Sequence, residues 1–290
     1  MTTAFSKLRS LFGSPAKLDR ASPSGEGEPL SFVAPNYQQW NKDYQEPPFA
    51  DAKTRAKFDR LVRAAAEIVS ANQPGSAAFL ADDMFLWFRS VAFLSDPAFL
   101  AAMGPLADDD ALRGRIWRVN LLCWATRNAL TLDGDFVDVG CYDGRTVAVM
   151  QRYCGFAEHP DKTWWLYDIF DEPPLESRKA AHGPGLFERV CDEFDSFGNF
   201  RVIKGPVPSS FTQGLPDKIA FAQIDLNERD AEVACLEEIY ERVVPSGIIV
   251  LDDFGFGRYR ESFEGETAFF ASRGQHVWES PTGQGLVIKR

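Results

Sequence analysis

Acidic residues close several of the apolar runs in the second half of this 290-residue chain. The run "IIVLDDFG" carries four aliphatic residues straight into Asp252 and Asp253, "IAFAQIDL" reaches Asp225, and "TWWLYDIF" holds Asp168. In "FVDVGCYDGRT", Asp138, Gly140 and Gly144 form an acidic-x-Gly-x-x-x-Gly turn. Asp favours turns and caps helices, which gives each position a plain structural reading. Their grouping suggests chemistry. If the runs are neighbouring strands, Asp225 meets Asp252 and Asp253 across the ~4.8 Å that separates strands. Carboxylates that close repel one another unless a cation sits among them, and oxygen-only donors favour a hard cation such as magnesium. Successive strand residues face opposite sides, so Asp252 and Asp253 share an ion only if the strand ends at or before Asp252. The turn at Gly255 permits that.

The elements that would position these residues follow from the rhythm of the chain. After Leu132, short β-rich runs ("FVDVG", "TWWLYDIF", "FRVIKG", "IAFAQIDL", "GIIVLDDF", "HVWES", "GLVIKR") alternate with helix-length segments. That pattern predicts an α/β fold with a doubly wound, mostly parallel seven-stranded sheet. The last two runs are separated by only "PTGQ", too short for a helical crossover, and so predict an antiparallel C-terminal hairpin. Ligands of open α/β sheets bind beyond the carboxyl ends of the strands, where these acids lie. Asp168, ending the second run, is placed to accept hydrogen bonds from both hydroxyls of a ribose; a solvated turn residue is the plainer alternative. The first turn is not the dinucleotide fingerprint G-x-G-x-x-G, because Asp138 stands where its first glycine would be. A carboxylate there suits a ligand with a cationic or hydroxylated end.

The first half reads differently. Residues 1–35 form a predicted disordered arm and linker: "SPAKLDRASPSGEGEPL" is too polar and too rich in Pro, Gly and Ser to order itself. Before it, Phe5, Leu8, Leu11 and Phe12 share a helical face that could lie on a membrane surface or fray as an arm. Residues 36–130 read as a helical region, a candidate cap on an acceptor pocket. Phe58, Leu61, Val62, Ala65, Ile68 and Val69 recur at helical spacing, as do Ile116, Val119, Leu122 and Cys123. Met84, Phe85, Trp87 and Phe88 read as a helical aromatic stripe, either core or pocket lining. Residues 131–290 then hold the sheet.

Composition narrows the classes of partner. With 31 Lys and Arg against 42 Asp and Glu, the net charge of −11 argues against a nucleic-acid backbone. The five cysteines are scattered with no C-x-x-C pair, which points to a reducing cytoplasm rather than a disulfide framework or zinc site. No run approaches the ~18 apolar residues of a transmembrane segment, and no secretory signal is evident.

These residues and their order resemble the macrocin O-methyltransferase-like family, class I, metal-dependent enzymes that use S-adenosylmethionine to methylate sugar hydroxyls. The resemblance covers about residues 116–290 through "GDFVDVGCYDGRT", "WWLYDIFDEPP", "QIDLNERDAEVACLEEIYERVVPSGIIVLDDFG" and "RYRESFEGETAFF". It implies a Rossmann-like methyltransferase in which Asp138, Gly140 and Gly144 bind the methionine end of the cofactor and Asp168 its ribose. Asp225, Asp252 and Asp253 would be the magnesium ligands. One departure stands out. The family often reads D-x-D where this chain has Asp225, Leu226 and Asn227, and a neutral amide cannot take a proton. Either the metal alone acidifies the acceptor, or His182 in "KAAHGPG" serves as base, or turnover is lost. Asp225, Asn227 and His182 are therefore the catalytic candidates, acting on a small-molecule acceptor with a hydroxyl group. The competing reading is a non-catalytic cofactor-binding scaffold in a biosynthetic complex. Assembly into a homo-oligomer is left open.

Overall fold

The computed structural model describes residues 32–33, 52–70, 78–87, 89, 91–170 and 182–290. Apart from Phe32–Val33, the arm and linker expected over 1–35 lie outside the described residues. The chain divides into two compact units, Met1–Asn120 and Leu121–Arg290.

The first unit opens with β1 (Phe32–Val33), α1 (Ala52–Ser70), β2 (Ala78–Ala81) and β3 (Met84–Trp87), continues through α2 (Pro97–Met103) and α3 (Asp110–Gly114), and enters α4 (Ile116–Ala129). Helices dominate, but β1, β2 and β3 form a small sheet in that order. The helical reading of Met84, Phe85, Trp87 and Phe88 is corrected here: Met84 to Trp87 form a strand paired antiparallel with Ala78–Ala81. Short apolar runs are ambiguous between strand and helix. The deciding residues are Asp82 and Asp83, both at positive φ (52° and 53°), the two-residue turn whose twist suits a hairpin. Phe85 is 40% exposed and so is not core, while the side chains of Trp87 and Phe88 lie outside what the structure describes.

Asp82 does more than turn the chain. Its Oδ2 accepts from Trp117 N–H and its Oδ1 from Arg118 N–H, both at 2.9 Å, satisfying two of the amides that the first turn of α4 leaves open. Above this joint Trp117 packs against Phe79 and Phe93, with ring centroids 5.1 and 5.0 Å away. The expected face of α4 is present: Ile116, Val119, Leu122 and Cys123 are all buried.

The second unit contains β4 (Asp135–Val139), α5 (Arg145–Cys154), β5 (Trp164–Asp168), α6 (Leu186–Phe194), β6 (Phe200–Lys204), β7 (Ile219–Ile224), α7 (Arg229–Ile239), β8 (Val243–Leu251), α8 (Arg260–Ala271), β9 (Trp278–Glu279) and β10 (Gly285–Ile288). Seven strands line up as β6-β5-β4-β7-β8-β10-β9. The pairs from β6 to β8 are parallel, and β10 runs antiparallel to both β8 and β9, as the short "PTGQ" link predicts.

Alternation along the strands splits the core into two layers. Val137, Val139, Ala222, Ile224, Ile249 and Leu251 pack with Cys235, Leu236 and Ile239 of α7 and Phe269 and Phe270 of α8. On the opposite face Phe136, Phe156, Trp164 and Phe221 form an aromatic cluster with centroids 4.9 to 6.3 Å apart. No helix among the described residues is long and apolar enough to cross a membrane.

Replacing Asp82 with Ala removes two amide acceptors and puts a β-carbon with no compensating hydrogen bond at positive φ. The expected loss is about 2 kcal/mol of stability in denaturant unfolding. A change within ~0.5 kcal/mol, the range of ordinary surface substitutions, would show that Asp82 does not hold the start of α4.

Candidate active site

The site begins where β4 stops. Gly140 takes φ +91°, and its N–H donates to Tyr167 O at 2.8 Å. A β-carbon at Gly140 would overlap the carbonyl oxygen of Asp225 and stand 2.7 Å from its carbonyl carbon. Gly144, at φ +73°, caps α5, and a β-carbon there would meet Phe194 at 2.8 Å. The constraint visible at both glycines is close packing of protein against protein, at the turn where the sequence suggested approach of a ligand.

Val137 and Val139 face α7 and α8, so Asp138 faces the other layer, paired in register with Gln223 of β7. Asp138 is 1% exposed, and its Oδ2 is buried without a hydrogen-bond partner, as is Gln223 Oε1. Burial pushes the Asp138 carboxyl well above the usual range, and the charges of Asp225, Asp252 and Asp168 add to the effect. Four of the predicted site aspartates therefore share one electrostatic neighbourhood.

Asp168 ends β5 in a dense set of contacts. Its Oδ2 accepts from Tyr142 N–H at 2.8 Å and its Oδ1 from Phe170 N–H at 2.7 Å. His182 Nε2 lies 3.1 Å from the same Oδ1, and the His182 ring packs 5.0 Å from that of Tyr142. The structure thus sets His182 beside the predicted ribose ligand.

At the end of β7, Asn227 adopts φ +60°. Its Nδ2 donates to Asp225 Oδ1 at 2.8 Å, and its backbone N–H donates to Glu232 Oε1 at 2.9 Å. β8 ends at Leu251, before Asp252, as a shared ion would require. Asp252 N–H donates to Ile224 O at 2.9 Å, the bond that closes the last β7–β8 pair, Ile224 with Leu251. Asp252 is buried and accepts from Gln284 Nε2 at 2.9 Å. Asp253 instead acts on Glu232 and Glu266, raising the proton affinity of both. Among the described residues no three His, Cys, Asp or Glu side chains are assembled to hold a metal ion. Asp225, Asp252 and Asp253 are neighbours along the sheet edge without forming a ready-made cage.

Glu232 and Glu266 escaped the sequence reading, and a signal for them existed. Glu232 falls on the same helical face as Cys235, Leu236 and Ile239, and Glu266 on that of Ser262, Phe269 and Phe270, so each acid occupies a core position. Burial is the main cause of raised proton affinity in both, taking Glu232 up to about 7 and Glu266 up to about 9. Gln284 and Gln223 were missed for a different reason: their importance lies in cross-strand pairing that no local pattern reveals.

The family described as macrocin-O-methyltransferase (TylF) matches residues 117–267. Among solved structures, the O-methyltransferase NovP is 16% identical, with 59% of this chain and 79% of that one covered at a TM-score of 0.51. CalS11, a calicheamicin methyltransferase, is 12% identical, with 83% and 94% covered at 0.52. At such identities the likeness is one of fold. No curated protein matches the chain.

Two raised carboxyl groups make a pH prediction with a definite sign. The folded state holds protons on Glu232 and Glu266 that the unfolded chain releases above its ordinary carboxyl range. This contribution to stability is fully present below about pH 4.5 and is lost as pH rises through about 7 and then about 9. The melting temperature is expected to fall between pH 6 and pH 9, and to fall less in Glu266→Gln, which stays neutral. Equal slopes for parent and variant would mean that Glu266 does not titrate across that interval.

Proposed function

Because the chain belongs to the macrocin O-methyltransferase family, and is thus an S-adenosylmethionine-dependent O-methyltransferase, we propose that its acceptor is a hydroxyl of a sugar or of a sugar-bearing natural product. The observation that carries the site assignment is the acidic edge formed by Asp138, Asp168, Asp225 and Asp252 at the carboxyl ends of four strands of the parallel core. Residues 36–130 are assigned to acceptor recognition as part of the same proposal, with the reaction placed in a reducing cytoplasm, in keeping with five free cysteines.

The residues suit the cofactor. Its sulfonium supplies an electrophilic methyl group. Asp138 Oδ2 and Gln223 Oε1 are buried acceptors without donors, suited to an ammonium group. Asp168 is positioned to accept from ribose hydroxyls. The turn from Gly140 to Gly144 brings backbone close to both. In this reading catalysis is chiefly positioning and electrostatics, with no covalent enzyme intermediate. Asn227 cannot receive a proton; its amide orients Asp225.

Magnesium forms the second part of the proposal, with Asp225, Asp252 and Asp253 as candidate ligands. Its support is the oxygen-only donor set on adjacent strand ends. Among the described residues the three side chains are not gathered around one point, and none of the residue roles given above depends on the ion.

Asp168→Ala is expected to weaken S-adenosylmethionine and S-adenosylhomocysteine binding by about 10- to 100-fold, since a hydrogen bond to a charged group contributes roughly 1.5–3 kcal/mol. Parent-like affinity in calorimetry would remove Asp168 from the ribose site. For the metal, the parent's melting temperature should rise with magnesium concentration, and Asp252→Asn should abolish that rise while keeping cofactor affinity within a few-fold. A parent that binds cofactor yet shows neither a magnesium-dependent shift nor magnesium-dependent turnover would exclude the metal.

A further inference from the structure

A carboxylate accepts about four hydrogen bonds through its two oxygens. In Asp168 three of these places are taken, by Tyr142 N–H on Oδ2 and by Phe170 N–H and His182 Nε2 on Oδ1. One place remains, and a ribose presents two hydroxyls. For both to be held by Asp168, one of the three present donors has to leave.

The geometry identifies which. Tyr142 and Phe170 donate through backbone amides in turns pinned to the sheet, where Gly140 N–H and Cys141 N–H both donate to Tyr167 O and Gly205 N–H donates to Asp168 O. His182 donates through a side chain. It is followed by Gly183, where an added β-carbon would meet nothing within 4 Å. Its bond to Asp168 is also the longest of the three.

The His182 ring gives a second, independent sign. Its side chain is 7% exposed, and Nδ1 is buried without a hydrogen-bond partner. Since the carboxylate can only accept, Nε2 is the donor of this contact, and Nδ1, as donor or acceptor, is left unsatisfied. A purely structural histidine is expected to have both nitrogens paired, because an orphaned buried group carries its full desolvation cost. Moving the ring away from Asp168 relieves that cost.

We propose that His182 and a ribose hydroxyl compete for the same position on Asp168, so that S-adenosylmethionine displaces the ring and this residue sets cofactor affinity. The inference rests on the cofactor reading above and adds to it a residue that works against binding. It makes His182 a competitor at the ribose end of the site.

The test is calorimetric titration of the full chain with S-adenosylhomocysteine, comparing the parent with His182→Ala and His182→Leu. Leucine keeps a side chain against Tyr142 but has no donor, which guards against a folding defect in the alanine variant. Both variants are expected to bind about tenfold more tightly, the lower end of what a hydrogen bond to a carboxylate contributes. Unchanged or weaker binding by the variants, with the parent binding normally, overturns this inference alone and leaves the cofactor reading standing. No binding by any of the three proteins overturns the cofactor reading and this inference with it.

Discussion

The close approach of two strand ends organises this site. Gly140 lies so near the carbonyl of Asp225 that no side chain fits between them, and Asp225 N–H donates to Val139 O at 2.8 Å. Because β4 and β7 are locked together there, Asp138 and Gln223 stand side by side beneath the turn, and Asp225 emerges next to them. Asp168 reaches the same place from the opposite neighbour of β4, through Tyr142 N–H. Glycine at 140 is thus a requirement of backbone packing, and ligand geometry follows from it. The positive φ at this position adds a conformational reason for the absence of a side chain.

Concentrating acids at one sheet edge has an electrostatic consequence. Burial pushes the Asp138 carboxyl well above the usual range, and Asp225, Asp252 and Asp168 add to the effect. Across the sheet, Glu232 and Glu266 are pushed upward chiefly by burial, with Asp253 adding to both. The two acidic groups lie in different layers, yet Asn227 links them: its backbone reaches Glu232 and its side chain reaches Asp225.

Much of this arrangement was legible in the chain because strand ends are marked locally. Each of the runs closing in Asp168, Asp225 or Asp252 combined β-forming residues with an abrupt change to polar ones, and the short link before Gly285 could make only a hairpin. The β2–β3 hairpin was not legible, since Phe79 to Trp87 contains no glycine or proline and its turn depends on two aspartates adopting a conformation that Asp merely tolerates. The metal geometry was legible only as a condition. Sequence can say that Asp252 and Asp253 diverge if the strand persists, but where it stops is decided by its pairing, which ends with Ile224 and Leu251, a tertiary fact. The position of His182 was likewise out of reach, because 14 residues of chain separate it from the carboxylate it meets.

Asn227 looks different once its partners are known. As a missing carboxylate it suggests a lost base; as an amide it supplies a donor to Asp225 Oδ1. Hydrogen bonding to the charged form of a carboxylate favours that form. A second aspartate at 227 would instead place another negative charge beside Asp225, on an edge where Asp138 already lies among three others. The amide thus donates to Asp225 without adding a further charge to the cluster. The departure from the family pattern thus exchanges a carboxylate at position 227 for a donor to Asp225, in a contact made from a residue at positive φ.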